Sequence, residues 1–492
     1  MKLKSIVVAC SGALAALAGS QALAQAAFDV PEVTIYVSGA SAPQNTINSV
    51  ATSLFNPGFH TFFDNAGTVA NPSVPASDGR LYRAYFGTIK TDATIPSSLH
   101  GKTAMIINRA KGGSGWGVQP VALGAPIATL GISAGNCALN GAQYRCAEVG
   151  SDSTANAANL VPDAGVSDLG PRFFLPSLNV EPQFPNALSP AQLSSLTIRP
   201  LQGLGMGFAA TNAVANTTTL TRSNVLGMLT GTYDTWNRID GTAAGVTVCR
   251  RVPGSGTQAS YNWYMNNFPC GLGVATGASG GNDPLRMIDS AGGLTANAGT
   301  TANPDILNYD ANSITVVENS SSGEVRGCLA AANNGGVHNF NDETGRKVRI
   351  TFPAGAKAIG VLSLDSAGQE NGWAFRNAQG AGTFNVTTQA STGGPNTGAA
   401  PSQANMKNGA YDFVAEVTGQ FRTSVLSGDK LTLTNALFDR LADATILAGI
   451  SNVGVRNANM GLPVGVNLPN ISNANVMLGF RGGNQCAPMA PQ

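Results

Sequence analysis

Arg251 stands four residues before Ser255 in the run Arg250-Arg251-Val252-Pro253-Gly254-Ser255-Gly256-Thr257, immediately ahead of a helical pattern. A guanidinium is a planar two-pronged donor, Ser255 and Thr257 add hydroxyls, and Gly254 and Gly256 let the backbone approach a ligand closely. The first N–H groups of a helix lack intrahelical partners and carry partial positive charge, so the set describes a seat for an oxyanion. A plain Ser/Gly helix cap with a surface arginine would use the same residue types. Two further turns offer similar chemistry: Ser41 with the amide of Ala42, and the glycine-rich run Gly112-Gly113-Ser114-Gly115-Trp116-Gly117.

These residues need elements to position them, and the apolar patterning supplies candidates. Val246-Thr247-Val248 reads as a strand, and Tyr261, Tyr264, Met265 and Phe268 follow the spacing of one helix face, so the anion loop lies between strand and helix. Val33 to Val37 reads as a strand, followed by a turn at Ser38 to Pro43 and a helix from Asn45 to Leu54 with Ile47, Val50, Ala51 and Leu54 as its apolar stripe. Strands are also expected at Ala104 to Ile107, Gly205 to Ala210, Ile314 to Val317, Ala358 to Leu362 and Val476 to Phe480. Helices are expected at Asn224 to Thr230, after a cap at Ser321 or Ser322, and at Leu431 to Ala448. Such alternation predicts an α/β fold. The Gly-, Ala-, Ser-, Thr- and Asn-rich stretches 119–162, 271–304 and 366–406 read as loops or excursions on it.

The chain has 492 residues, with 28 Lys+Arg against 27 Asp+Glu. This near-neutral balance argues against a general nucleic-acid or membrane-surface binder. Lys2 and Lys4 precede an apolar stretch from Ile6 to Ala18, and Ala22-Leu23-Ala24 forms a small-x-small cleavage signal, which predicts export with cleavage near Ala24 to the periplasm or beyond. Cys10 follows the charged start too closely for a lipoprotein signal. No later run reaches the roughly 18 apolar residues of a membrane span.

Six cysteines follow the signal segment: Cys137, Cys146, Cys249, Cys270, Cys328 and Cys486. An even number in an exported chain favours disulfides. Cys137 and Cys146 bracket a short Asn/Gly stretch and are expected to pair. A pairing of Cys249 with Cys270 is disfavoured, because the intervening helix carries Cys270 away from the strand end. Cys328 shares a helix face with Val325, Leu329 and Ala332, where a buried free thiol would fit, and the other connectivities stay open.

Pro162-Asp163-Ala164-Gly165-Val166-Ser167-Asp168-Leu169-Gly170-Pro171 adds an acidic segment, and Gly231-Thr232-Tyr233-Asp234-Thr235-Trp236-Asn237 a Gly/Trp-Asn segment. Together with Gly39 to Pro43, Arg251 to Thr257 and Ala358-Ile359-Gly360, they stand in the order found in the phosphate-binding proteins of ABC importers, within the type II periplasmic binding-protein superfamily, which the sequence resembles. The resemblance implies a two-lobed type II periplasmic binding-protein fold, here with loop-rich insertions. One lobe would comprise 25–212 with 405–492, and the other 213–404. It also implies a ligand set of Ser41, Ala42, Ser114, Asp168, Arg251, Ser255, Gly256 and Thr257, an ABC permease as partner, and no cofactor. Pro253 stands where the resemblance would put the acid that braces the arginine, so Arg251 must be held by other groups or swing.

Asp168 carries its own chemical argument. A carboxylate only accepts hydrogen bonds, so it favours an oxyanion that retains a proton, as phosphate does near neutral pH, over one that has none, as sulfate. A surface ion pair would be the alternative use of Asp168. Enzyme chemistry finds little footing: His60, His100 and His338 are widely separated without metal-ligand spacing, and no Gly-x-Ser-x-Gly elbow surrounds Ser114 or Ser255. Gly203 to Gly207 reads as a strand with close backbone packing rather than a nucleotide loop, and Trp236 as core or hinge packing. The expected function is capture of an inorganic oxyanion, phosphate first, for ABC-type uptake. An extracellular structural or interaction protein that keeps the fold without transport is the competing expectation.

Overall fold

The computed structural model describes residues 26–64, 81–176, 178–270, 284–366, 368–393, 396–407 and 409–443, with short pieces at 446–447, 462–463, 479–480, 486–487 and 490–491. The signal segment with its cleavage point near Ala24 and the strand residues 476–478 lie outside the described residues, as does 271–283 of the second loop-rich stretch.

A mixed sheet forms the spine. The strands along its main path are β1 (Val33–Gly39), β2 (His60–Asp64), β3 (Tyr82–Thr88), β4 (Thr103–Arg109), β5 (Cys137–Asn140), β6 (Gln143–Cys146), β7 (Ala164–Ser167), β8 (Leu196–Thr211), β9 (Thr247–Arg251), β10 (Thr315–Asn319), β11 (Ala358–Ser363) and β12 (Val414–Arg422). The spatial order is β10-β9-β11-β8-β12-β7-β1-β4-β3-β2-β6-β5. β1 runs parallel to β4 and β7, and β9 runs parallel to β10 and β11, so each end of the sheet has its own parallel core. These strands are buried almost throughout, which is why their sequences read as continuous apolar runs.

The two parallel cores divide the sheet into two halves, or lobes, and β8 passes from one to the other. Its first half, from Leu196 to Gly205, pairs antiparallel with β12, while Met206 to Ala210 pair antiparallel with β11. The ladder with β12 shifts register between Pro200 and Gln202, a place where a residue lacking an N–H is tolerated. Gly203 to Gly207 therefore lie inside a buried strand, and Trp236 is fully buried with its indole N–H donated to Lys357 O at 3.3 Å.

The helices are α1 (Gln44–Ser53), α2 (Gly115–Leu123), α3 (Arg222–Leu229), α4 (Gly256–Asn266), α5 (Ser322–Asn334) and α6 (Gly428–Ala442). Ile47, Val50 and Ala51 of α1, with Leu54 just after it, are buried in one core with Ile35 and Val37 of β1, whereas Tyr36 turns to a second cluster containing Trp116 of α2. Ser321 caps α5, its hydroxyl accepting the Glu324 N–H at 3.1 Å. α6 starts earlier than the apolar spacing of 431–448 predicts and ends at Ala442, with Ile446 and Leu447 helical beyond the extended Asp443.

The described parts of the loop-rich stretches hold short strands and turns. The first carries the β5–β6 hairpin, whose Cys137 and Cys146 face each other across the ladder and form the expected disulfide, with 4.0 Å between Cα atoms. Cys328 is not a free thiol: it bonds Cys249, tying α5 to β9, and Cys270 bonds Cys486. The helix-face reading of Cys328 holds, but the strand it packs on presents Cys249 at a Cα separation of 6.0 Å. A strand–helix crossover of 79 residues hides this partner from local pattern. Among the described residues no helix is long and apolar enough to cross a membrane, and no cluster of His, Cys, Asp and Glu could hold a metal ion.

Candidate functional site

α2 lies close against the first lobe because three glycines leave room for it. A Cβ on Gly39 would come within 2.0 Å of Val166 O, one on Gly117 within 2.3 Å of the same oxygen, and one on Gly165 within 1.7 Å of Gly117 O. Gln420 of β12 then donates to Gly117 O at 2.7 Å, so the start of α2 is fixed to β1, β7 and β12 together. In the other lobe, β9 leads through Val252 to Gly254, where φ of +79° suits glycine, into α4. Ser255 caps that helix, its hydroxyl accepting the Gln258 N–H at 3.4 Å.

These two helix starts meet. Gly115 N–H donates to Gly254 O at 2.9 Å across the junction of the lobes. Ser114 Oγ accepts the Asp168 N–H at 3.0 Å, and a Cβ on Gly256 would lie 2.0 Å from that hydroxyl oxygen and 2.5 Å from Asp168 Oδ2. Ser114, Asp168, Ser255 and Thr257 are all buried. Asp168 is thus no surface ion-pair partner: it stands beside the first residue of α4.

Arg251 is buried too, but its guanidinium is engaged by protein groups. Nε donates to Asn319 O at 3.2 Å, one terminal nitrogen to Ser320 O at 2.8 Å and the other to Ser322 Oγ at 3.1 Å. The β10–α5 turn thereby fills the bracing role that Pro253 cannot. Burial pushes the guanidinium down to about 10, against the pull of Glu324, Asp168 and Glu181, so it stays protonated at neutral pH. Ser41 and Ala42 follow the end of β1. Ala42 is in the core, Ser41 is half-buried with its carbonyl accepting the Gln44 N–H at 3.3 Å, and none of the described hydrogen bonds joins either to the Ser114–Asp168–Gly256 group.

Several contributors escaped sequence reasoning. Glu181 reaches the junction from the loop before α4's lobe is entered: a Cβ on Gly254 would lie 2.3 Å from its carboxyl carbon, and one on Gly115 3.1 Å from its Cγ. Burial pushes its carboxyl up to about 8, against the pull of Arg109, of Arg251 and of a hydrogen bond from Trp116. Arg109 lies over the Trp116 ring at 4.4 Å and pairs with Asp152 at 2.8 Å. A chain of buried amides also crosses the junction. Asn262 Nδ2 donates to Asn179 Oδ1 at 2.8 Å, Gln258 Nε2 to Asn262 Oδ1 at 3.1 Å, and the Arg251 N–H to Gln258 Oε1 at 3.2 Å. Gln258 and Asn262, one turn apart directly after an anion-type loop, were the signal available for this chain; Glu181, a lone acid between Val180 and Pro182, carried none.

Behind Arg251, His338 Nε2 meets Asn319 Oδ1 at 2.8 Å. The Asn319 amide nitrogen is already donated to Arg250 O and Val317 O, so the histidine must be the donor. Burial holds His338 neutral, down at about 4. The third histidine of the sequence is therefore part of the support under the loop, not a metal ligand.

Chemically, the junction combines the N-termini of two helices of nine and eleven residues with buried hydroxyls, one carboxylate that accepts and one arginine held nearby. Such a set can hold a small anion that also has a hydrogen to donate. No family model matches the chain, and no curated protein matches it at a significant level. Among solved structures, the chain is similar to an ABC-type phosphate transport receptor from Vibrio cholerae, with 10% identity over 82% of this chain and 93% of that one at a TM-score of 0.36. It is also similar to PstS from Borrelia burgdorferi, with 9% identity over 86% and 98% of the chains at 0.34, and to the high-affinity periplasmic phosphate-binding protein PfluDING, with 13% identity over 87% and 91% at 0.36.

Proposed function

We propose that the protein is an exported solute-binding protein that captures an inorganic oxyanion, phosphate first, between its lobes and hands it to an ABC-type permease, without covalent chemistry. The observation that carries this reading is the convergence of the α2 and α4 N-termini on Ser114, Asp168 and Gly256. Each charge-assisted hydrogen bond in such a site is worth about 1.5–3 kcal/mol, enough for a few of them to reach micromolar affinity or better. Ser114, Ser255, Gly256 and Thr257 are the proposed donors, with Ser41 and Ala42 closing the first-lobe side. Asp168 would accept the ligand's proton and so disfavour sulfate. Arg251 would act mainly through its field, since its nitrogens are bonded to the β10–α5 turn.

In this reading 25–212 with 405–492 form one lobe and 213–404 the other, a division supported by β8 leaving the first sheet half and β12 returning to it. Lobe closure would place both helix starts on the ligand, and preferential binding to the closed form would shift the population. Equilibrium dialysis of ligand-stripped protein against labelled phosphate, with sulfate and acetate as competitors, tests the proposal. Retention of phosphate that sulfate fails to displace supports it, and no retention of any oxyanion refutes it.

The direct lobe-to-lobe bond from Gly115 to Gly254 favours a second reading, an extracellular interaction protein whose lobes are held shut by their own groups. Absence of oxyanion binding together with a single closed form at every pH would favour it.

A further inference from the structure

Glu181 is, with Asp168, one of two acids that the first lobe presses against the backbone of the second at this junction. Its side chain lies between Gly115, at the start of α2, and Gly254, at the turn into α4, and takes a hydrogen bond from the Trp116 indole. The fit is tight on both sides, since a Cβ on Gly254 would come within 2.3 Å of Glu181 Oε1 as well as of the carboxyl carbon. The Gly254 turn that covers it belongs to the opposite lobe. Two residues earlier, Asn179 makes the other polar crossing, to Asn262 of α4. The segment from Asn179 to Glu181 therefore spans the junction with one amide that is permanently neutral and one acid that is not.

We propose that Glu181 is a proton-operated latch, a positioning residue that lets the lobes meet when it is protonated and drives them apart when it is ionised. The inference rests on the two-lobed solute-binding reading for its use, but not on the identity of the ligand. Charge surrounds the carboxyl from several elements. Arg109 at the end of β4 and Arg251 at the end of β9 favour its ionised form, Glu343 in the turn after Asn341 opposes it, and Asp168 stands at the neighbouring residue Gly256. Burial outweighs the arginines and holds the closed-state carboxyl at about 8. In an open protein the same carboxyl faces water and returns to the ordinary range near 4.5. Closure between these two values therefore takes up a proton, and by linkage the closed form is favoured at low pH and lost as pH rises through about 8. A ligand that binds the closed form inherits this dependence: its affinity falls by up to tenfold for each pH unit between about 4.5 and 8 and levels off above that, in addition to any titration of its own.

The test uses ligand-free full-length protein, with lobe separation read by small-angle X-ray scattering or by a pair of spin labels, one on each lobe. Wild type is expected to open as pH rises from about 4.5 to 8 and to change no further above that. Glu181→Gln, which keeps the shape and the neutral form, is expected to stay closed across the range. An unchanged separation in wild type, or a pH response in Glu181→Gln equal to that of wild type, overturns the latch. Should that variant fail to fold, the carboxyl carbon signals of wild type decide by NMR: a glutamate titrating near 8 supports the proposal, and none above the ordinary carboxylate range overturns it. Inorganic phosphate added to both proteins at pH 6 separates the two ideas. A latch that works in a protein that ignores phosphate leaves the inference standing and refutes the oxyanion function.

Discussion

Gly256 and Ser114 come from different lobes, yet a Cβ on the glycine would stand 2.0 Å from the serine hydroxyl oxygen. The two helix starts are so close that one methyl group decides whether they can meet. Alanine is a better helix former than glycine, so within α4 alone the change would stabilise. Gly256→Ala is therefore expected to leave the thermal midpoint within a few degrees of wild type and to weaken oxyanion binding at least tenfold. Parallel melting and binding curves check this, and undiminished affinity would remove the α2–α4 junction from the site.

Asn179 and Asn262 cross the same junction while almost fully buried. Truncating either leaves the other's amide without its partner, at a cost of about 1–3 kcal/mol. Asn262→Ala should cost more than Asn179→Ala, because it also strips Gln258 of its acceptor. Denaturant melts of both single variants and the double variant test the coupling, with the double expected to fall short of the sum.

Arg251 looked from its loop like a free ligand fork. Its nitrogens instead hold Asn319, Ser320 and Ser322, so Arg251→Ala should cost about 3–5 kcal/mol of stability as well as affinity. A variant with unchanged stability would mean that the guanidinium is not held by that turn.

His338 makes stability depend on acid. Ordinary at 6.5 when unfolded and about 4 when folded, it leaves the unfolded chain binding the extra proton between these values. Stability is then full above 6.5 and falls as pH drops towards 4, by on the order of 3 kcal/mol from this group. His338→Gln keeps a donor for Asn319 and should flatten this limb in denaturant melts taken from pH 7 to 4. An unaltered limb would clear His338 of the effect.

The Cys249–Cys328 bond closes a loop of 79 residues and should contribute about 4 kcal/mol by chain entropy. Cys249→Ala with Cys328→Ala is expected to lower the midpoint markedly while the Cys137–Cys146 hairpin remains intact, a difference that melting with mass-mapped disulfides resolves.

Elements with a local period were legible in the sequence: β1, α1, α4 and the Ser321 cap of α5 stand within a residue or two of their patterns. Order along the chain pointed to the loops before α1, α2 and α4 as partners of Asp168, of which the last two stand beside it. What sequence could not supply is contact between distant segments. The Cys249 partner of Cys328, the turn that occupies Arg251, and Glu181 under Gly254 all depend on how the β9–β10–α5 unit and the loop after β7 fold back, and none of these leaves a periodic trace. α6 shows the opposite limit. Its apolar spacing continues past Ala442 to Ile446; Asp443 is extended and ends the helix, while Ile446 and Leu447 are again helical, the Leu447 N–H donating to Asp443 O at 2.9 Å.

Titration calorimetry of ligand-stripped protein at pH 6 with phosphate and then sulfate bears most directly on the oxyanion site. Saturable heat with phosphate, at least a hundredfold weaker binding of sulfate, and loss of that preference in Asp168→Asn are the expected results. No heat with phosphate, or equal binding of both anions by wild type, would contradict it.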